Sequence, residues 1–179
     1  MKAFEFSVIA SGLDPSAEDF EARFYEAGCD DALIAFQKGH IIVDFAREAA
    51  TIYEAVASAV ENVLKTGARV DRIEPDPLVN LTDIAARSKL TRQAISNYAK
   101  GTRKDNFPAP VARVTSETPL YDWSDVSHWL AKEKKIDPSE AIFASVVKEA
   151  NDAIESGETR LALRLKKRAE EEERALEAA

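Results

Sequence analysis

Apolar and polar residues alternate at the start of the chain. In AFEFSVIA, residues 3–10, Phe4, Phe6 and Val8 fall on one face, the pattern of a half-buried strand. Ser11, Gly12, Asp14 and Pro15 form a turn cluster. The spacing then predicts a helix over residues 15–27, with Phe20 and Phe24, joined by Ala17 and Ala27, on its apolar side and Gly28 as its stop. Two short apolar runs, 31–36 and 40–45, are separated by Gln37, Lys38 and Gly39, a gap of hairpin length. Residues 47–65 repeat Ile52, Val56, Val60, Val63 and Leu64 at helical spacing and close at Gly67. Residues 68–73 read as a last strand, and Pro75 and Pro77 mark a boundary.

The order strand, helix, strand, strand, helix, strand predicts a ferredoxin-like βαββαβ sandwich over residues 1–75. Beyond it the period shortens. Thr82 is placed to cap a short helix with Ile84 and Ala85 inward, Ser88-Lys89-Leu90 makes a turn, and Leu90 plugs it. Thr91 caps a second helix whose inward residues are Ala94, Ile95 and Tyr98, ending at Gly101. Two short helices at this separation make a helix-turn-helix. Asp137, Pro138 and Glu140 open a further helix, with Ile142, Phe143, Val146, Val147, Ala150 and Ile154 as a stripe that needs a partner, from this chain or from an oligomer. The tail 158–179 reads as a charged, solvated helix in which Leu161, Leu165, Ala169 and Leu176 are sparse. The expected architecture is α+β, with domains at 1–75 and 78–132 and a helical C-terminal extension over 137–179.

Charge changes this picture because it is uneven. The 179 residues hold 24 Lys and Arg against 32 Asp and Glu, a net charge of −8. Residues 1–77 carry −8, residues 78–135 carry +4 and residues 136–179 carry −4. A basic middle between acidic flanks points to a local site for an anionic ligand. No apolar run is long enough to span a bilayer, and the N-terminal stretch lacks a signal-peptide core, so a cytoplasmic location is expected. A single cysteine, Cys29, excludes an internal disulfide framework and multi-cysteine metal sites.

The second helix of the pair presents Arg92, Gln93, Ser96 and Asn97 outward, with Lys100 near its end. Arg reads guanine N7 and O6, and Gln or Asn reads adenine N6 and N7. Basic residues Arg103 and Lys104 in the following turn suit phosphate. TDIAARSKLTRQAISNYAKG, followed by NFPAP, Arg113 and LYDWSDVSHWL, resembles the winged helix-turn-helix of the MerR superfamily, closest in style to its AlpA and phage-excisionase-like branch.

The resemblance covers residues 78–132. It implies a proline segment at Phe107, Pro108 and Pro110, and wing strands at 111–114 and 120–123 around the tip Thr115-Ser116-Glu117-Thr118. It also implies a closing helix carrying Trp123, Asp125, Val126, Trp129 and Leu130. The long dimerisation helix and metal-binding cysteines of MerR proteins are not seen, so no effector is implied.

The expected function is sequence-specific binding of double-stranded DNA by a transcriptional regulator, nucleoid-associated when bound and acting as a homodimer. The expected contacts are Thr91, Arg92, Gln93, Ser96, Asn97, Lys100, Arg103, Lys104, Arg113, Thr115 and Ser116. A second reading keeps the DNA and makes the protein an excisionase-like accessory of a mobile element. A third makes the acidic N-terminal domain an antitoxin-like surface for a protein partner. A fourth makes that domain a small-molecule sensor.

Enzyme chemistry finds no support. Cys29 has only Asp30 and Asp31 beside it, His40 and His128 follow no metal-ligand spacing, and no phosphate-loop or nucleophile-elbow string is present. No cofactor and no metal are expected. Trp123 and Trp129, spaced with Val126 and Leu130, read as core.

Overall fold

The structure is a computed structural model describing residues 1–158 and 160–177, with backbone alone for Ala169, Glu172, Glu173 and residues 175–177. The chain forms two units, Met1–Pro75 with Glu149–Ala179, and Asp76–Lys148. The region expected as one C-terminal extension, 137–179, is therefore divided between them. Among the described residues no helix is long and apolar enough to cross a membrane.

The first unit is built on β1 (Lys2–Ser11), α1 (Phe20–Glu26), β2 (Ala32–Gln37), β3 (His40–Ala49), α2 (Ile52–Lys65) and β4 (Arg69–Glu74). Its antiparallel sheet has the order β2-β3-β1-β4. Period-two alternation puts Phe6, Val8 and Ala10 of β1 and Ile41, Val43 and Phe45 of β3 in the core with Phe24, Val56, Val60 and Val63. Phe6 and Phe45, paired in register, stack with centroids 5.6 Å apart. The other face of the sheet carries exposed Glu5, Asp44 and Glu48.

Three expectations fail here, each for a local reason. The helix predicted from residue 15 begins at Phe20, because the Asp14 carboxylate accepts the Ser16 amide and hydroxyl and holds a turn; Ala17 is exposed. The helix predicted from residue 47 begins at Ile52, capped by Thr51, whose hydroxyl accepts the Glu54 amide. Leu64, expected inside, is 46% exposed.

Residues 47–49 instead continue β3, and Arg47 occupies an inward position at 8% exposure. Each of its five N–H groups meets an acceptor. Nε and Nη2 donate to the two Asp31 oxygens (2.8 and 2.7 Å), and Nη2 also donates to the Gly28 carbonyl (2.8 Å). Nη1 donates to Ser58 (3.1 Å) and Asn62 (2.7 Å). The guanidinium lies 4.7 Å from the centroid of the Phe45 ring. Its hydrogen bonds hold the Asp31 carboxyl below the usual carboxylate range. Nearby Cys29 is buried, which pushes its thiol up to about 11, an inert group at neutral pH.

Residues 149–177 complete this unit. α7 (Leu161–Glu177) packs on α2, burying Leu161 and Leu165. Lys166 pairs with Glu61 at 2.7 Å, and the Arg168 guanidinium lies 5.8 Å from the Tyr53 ring centroid. The tail expected to be solvated is thus docked, although Ala169 and Leu176 fall outside the described side chains. Buried Asn151 accepts the Ile73 amide (2.8 Å) and donates to the Ile73 carbonyl (2.9 Å), capping the outer edge of β4. Asn151→Ala leaves both groups buried and unsatisfied, and is expected to cost about 1–3 kcal/mol of stability by urea unfolding.

The second unit pairs β5 (Leu78–Val79) with β6 (Tyr121–Asp122) and contains α3 (Leu81–Ser88), α4 (Arg92–Ala99), α5 (Trp123–Lys132) and the start of α6 (Pro138–Glu155). Asn80, not Thr82, caps α3, in a reciprocal capping box with Asp83. Its core holds Val79, Ile84, Ile95, Tyr98, Trp129 and Leu130. Along α6, Ile142 points outward, while Ala141, Ala144, Val146, Val147 and Ala150 are buried, so these positions are covered without an oligomer partner.

Candidate nucleic-acid interface

Two short helices and the bend between them set the geometry. Lys89 takes a left-handed conformation (φ 56°) at the end of α3, and Leu90, packed on the core, turns the chain into α4. Thr91 Oγ1 accepts the Ala94 amide (3.1 Å), leaving the first-turn amides of Arg92 and Gln93 at the exposed end of α4. Ile95 and Tyr98 face the core, which forces the intervening positions outward.

Thr91, Arg92, Gln93 and Lys100 are exposed, and Ser96 and Asn97 are half-buried. Arg92 Nε donates to Thr82 Oγ1 at 3.3 Å, and Gln93 Nε2 donates to Asn97 Oδ1 at 3.0 Å. One hydrogen bond thus joins the Gln93 and Asn97 amides, while each keeps a further donor and acceptor. Arg92 lies close enough to Tyr121 for its charge to act on the phenol, whose pKa burial pushes upward. The start of α4 is thereby set beside β6.

An aromatic cluster holds the segment after α4. The Trp129 ring centroid lies 5.1 Å from those of both Tyr98 and Phe107, and its Nε1 donates to the Asp105 carbonyl (3.2 Å). Thr102 donates through its amide and hydroxyl to the Asn97 carbonyl (3.1 Å each). Arg103 is exposed on this loop. Lys104 is committed to Glu133 at 2.7 Å, a bond that raises the lysine pKa and lowers that of the glutamate. Its charge is partly offset, a fact no spacing in the sequence signals.

The two-stranded wing expected over 111–123 is not formed. Residues 111–114 form no strand, and only the Ala112–Leu120 bridge joins the two arms; Tyr121 and Asp122 pair with Leu78 and Val79 instead, and Trp123 starts α5. Arg113 in a left-handed conformation (φ 51°) and the turn from the Ser116 amide to the Arg113 carbonyl break the first arm. Arg113 and Thr115 remain exposed on this loop, and Ser116 is half-buried. Sequence reading missed Lys89, exposed in the bend between the helices. Its signal was a lysine inside the three-residue turn, where only Leu90 was given a role.

Among the described residues no group of three or more His, Cys, Asp or Glu side chains is arranged to hold a metal ion. No protein family, curated protein or solved structure matches the chain.

Proposed function

We propose that residues 78–132 form a winged helix-turn-helix of MerR-superfamily type, that residues 1–75 form a ferredoxin-like module, and that the protein is a sequence-specific duplex-DNA-binding regulator rather than an enzyme. The observation that carries this reading is the outward face of α4, where Arg92, Gln93 and Asn97 stand on a helix locked from behind by Ile95 and Tyr98. Its residue types match the hydrogen-bonding edges of the major groove. The local excess of positive charge and the strand order β2-β3-β1-β4 support the two halves of the proposal.

In this mechanism α4 lies in the major groove, Lys89, Lys100 and Arg103 hold phosphate, and the loop with Arg113, Thr115 and Ser116 lies along the backbone or minor groove. Two copies read two half-sites, in a nucleoid-associated, cytoplasmic setting.

Selection of bound sequences from random duplexes, at low and physiological salt, tests it. An enriched motif that survives physiological salt is the expected outcome; a folded protein that binds no duplex overturns the proposal. Arg92→Ala is expected to lose about 1–3 kcal/mol of affinity and to relax preference at one position of that motif. Arg103→Ala is expected to weaken all sequences alike and to lower the salt slope by about one. Lys104→Ala does less, because Glu133 already offsets its charge.

A second reading rests on the acidic open face of the sheet, Glu5, Asp44 and Glu48, which suits a basic protein partner. A stoichiometric partner that Glu5→Lys and Asp44→Lys release would favour it.

A further inference from the structure

The two edges of the sheet are treated differently. β4 is capped by Asn151, whose amide occupies the Ile73 N–H and C=O. On β2 the Ala32 amide is taken by the Cys29 carbonyl, and the rest of the outer edge has no partner among the described residues. Its sequence, ALIAFQ, contains no charge, no proline and no lysine, the usual guards of a strand edge. Tyr25, Leu33 and Phe36 beside it are 70%, 78% and 49% exposed.

The hairpin closes through Lys38 and Gly39, both with positive φ, so Gln37 and His40 are its hydrogen-bonded pair. By alternation, residues 33, 35 and 37 bond β3 through their backbone groups. The N–H and C=O of Ile34 and Phe36 therefore point away from the sheet.

We propose that β2 is a homodimer seam, in which two copies pair β2 antiparallel about a twofold axis through Ile34. Three features single out a second copy as the occupant. First, the axis at Ile34 brings identical outward groups into hydrogen-bonded opposition. Second, it sets Phe36 of one copy opposite Ala32 of the other, beside a cleft of about 440 Å³ between α1 and β2 lined by Ala22, Tyr25 and Ala32. A half-exposed large side chain thus meets a small residue and a space. Third, it brings the turn that holds Lys38, just past one end of β2, toward the turn that holds Asp30, just before the other end, of the second copy, twice. Both are exposed, and neither is ion-paired within the chain among the described residues. The strand is complementary to itself in backbone and volume, and the turns at its two ends are complementary in charge.

The proposal gives a location to the two-copy state assumed for DNA reading, and it fails separately from that reading: a monomer that selects a duplex motif would sink this seam alone. Sedimentation velocity of the full chain over a hundredfold range of concentration tests it. The expected result is a reversible dimer. Ile34→Pro removes an outward N–H together with a half-buried side chain, and is expected to give a monomer that stays folded by circular dichroism with a lowered melting temperature.

The charge pair supplies a test at exposed positions, where folding is not at issue. Lys38→Glu and Asp30→Lys, singly, are each expected to weaken association about tenfold, and the double swap to restore it. Leu163→Lys, on the exposed side of α7, is expected to leave the dimer intact. A wild-type protein monomeric throughout overturns the proposal. So does a dimer indifferent to the Ile34 and charge variants, or one dissolved by Leu163→Lys.

Discussion

Replacing Arg47 by methionine is expected to lower the unfolding free energy by about 3–5 kcal/mol, the cost of breaking a buried ion pair from one side. The side chain ties two separate parts of the chain to β3. Asp31 and the Gly28 carbonyl lie on the segment from α1 to β2, and Ser58 and Asn62 lie on α2. Methionine fills much of the volume but offers no donor, so a carboxylate, a carbonyl and an amide oxygen lose their partner together.

Urea unfolding followed by far-UV circular dichroism checks this. Replacement of Asp31 by asparagine is expected to cost less, because Arg47 keeps its bonds to Gly28, Ser58 and Asn62. The pair also sets an acid limb. The Asp31 pKa is lowered in the native state, so its contribution is fully present above the ordinary carboxylate value, about 3.9. It is lost as pH falls through the lowered native value. Asp31→Asn is expected to flatten that part of the stability-against-pH curve.

Trp129→Ala is expected to cost about 3–5 kcal/mol in the second unit, the range for emptying a buried large aromatic site. Its ring supports Tyr98 on the inward side of α4 and Phe107 on the proline segment. Its indole N–H fixes the loop at Asp105. Loss of the ring frees the face of α4 that keeps Arg92 and Gln93 outward, so affinity for a selected duplex should fall with stability. Trp129→Phe separates the two roles. It retains ring packing, loses the bond to Asp105, and is expected to cost about 1 kcal/mol while reducing the salt-dependent share of binding through the Arg103 loop. Thermal unfolding and fluorescence anisotropy on one preparation give both readouts.

Where periodicity was clean, the chain was legible. Phe6 and Val8 are buried on one face of β1, and Ile84, Ile95 and Tyr98 are core residues, as their spacing predicts. Legibility failed where a polar residue took an inward position. Arg47 continues the inward series Ile41, Val43, Phe45, but as a charged residue it hid the last turn of the alternation and made residues 47–49 look like the start of α2. Its acceptors are 11 to 19 residues away, too scattered to announce themselves. Asn151 was invisible for the same reason, a polar side chain within an apolar stripe whose partner is backbone 78 residues distant.

At the candidate interface, the exposed side of α4 is dictated by Ile95 and Tyr98. The absence of paired strands over 111–114 and 120–123 depends on the left-handed Arg113 and the competing pairing of β6 with β5, and neither has a local sequence signature.

The division of the chain carries a consequence for its synthesis. Residues 1–75 leave the ribosome before α7, which seals α2, and before Asn151, which closes the β4 edge. The intervening residues 76–148 have their own core and are released in full before that seal arrives. At about 5–20 residues per second, the opening module waits several seconds with its α2 surface and both strand edges bare. The unit begun before residues 76–148 is thus finished after them, and a chain truncated after residue 148 would carry an unsealed sheet together with a complete helical unit.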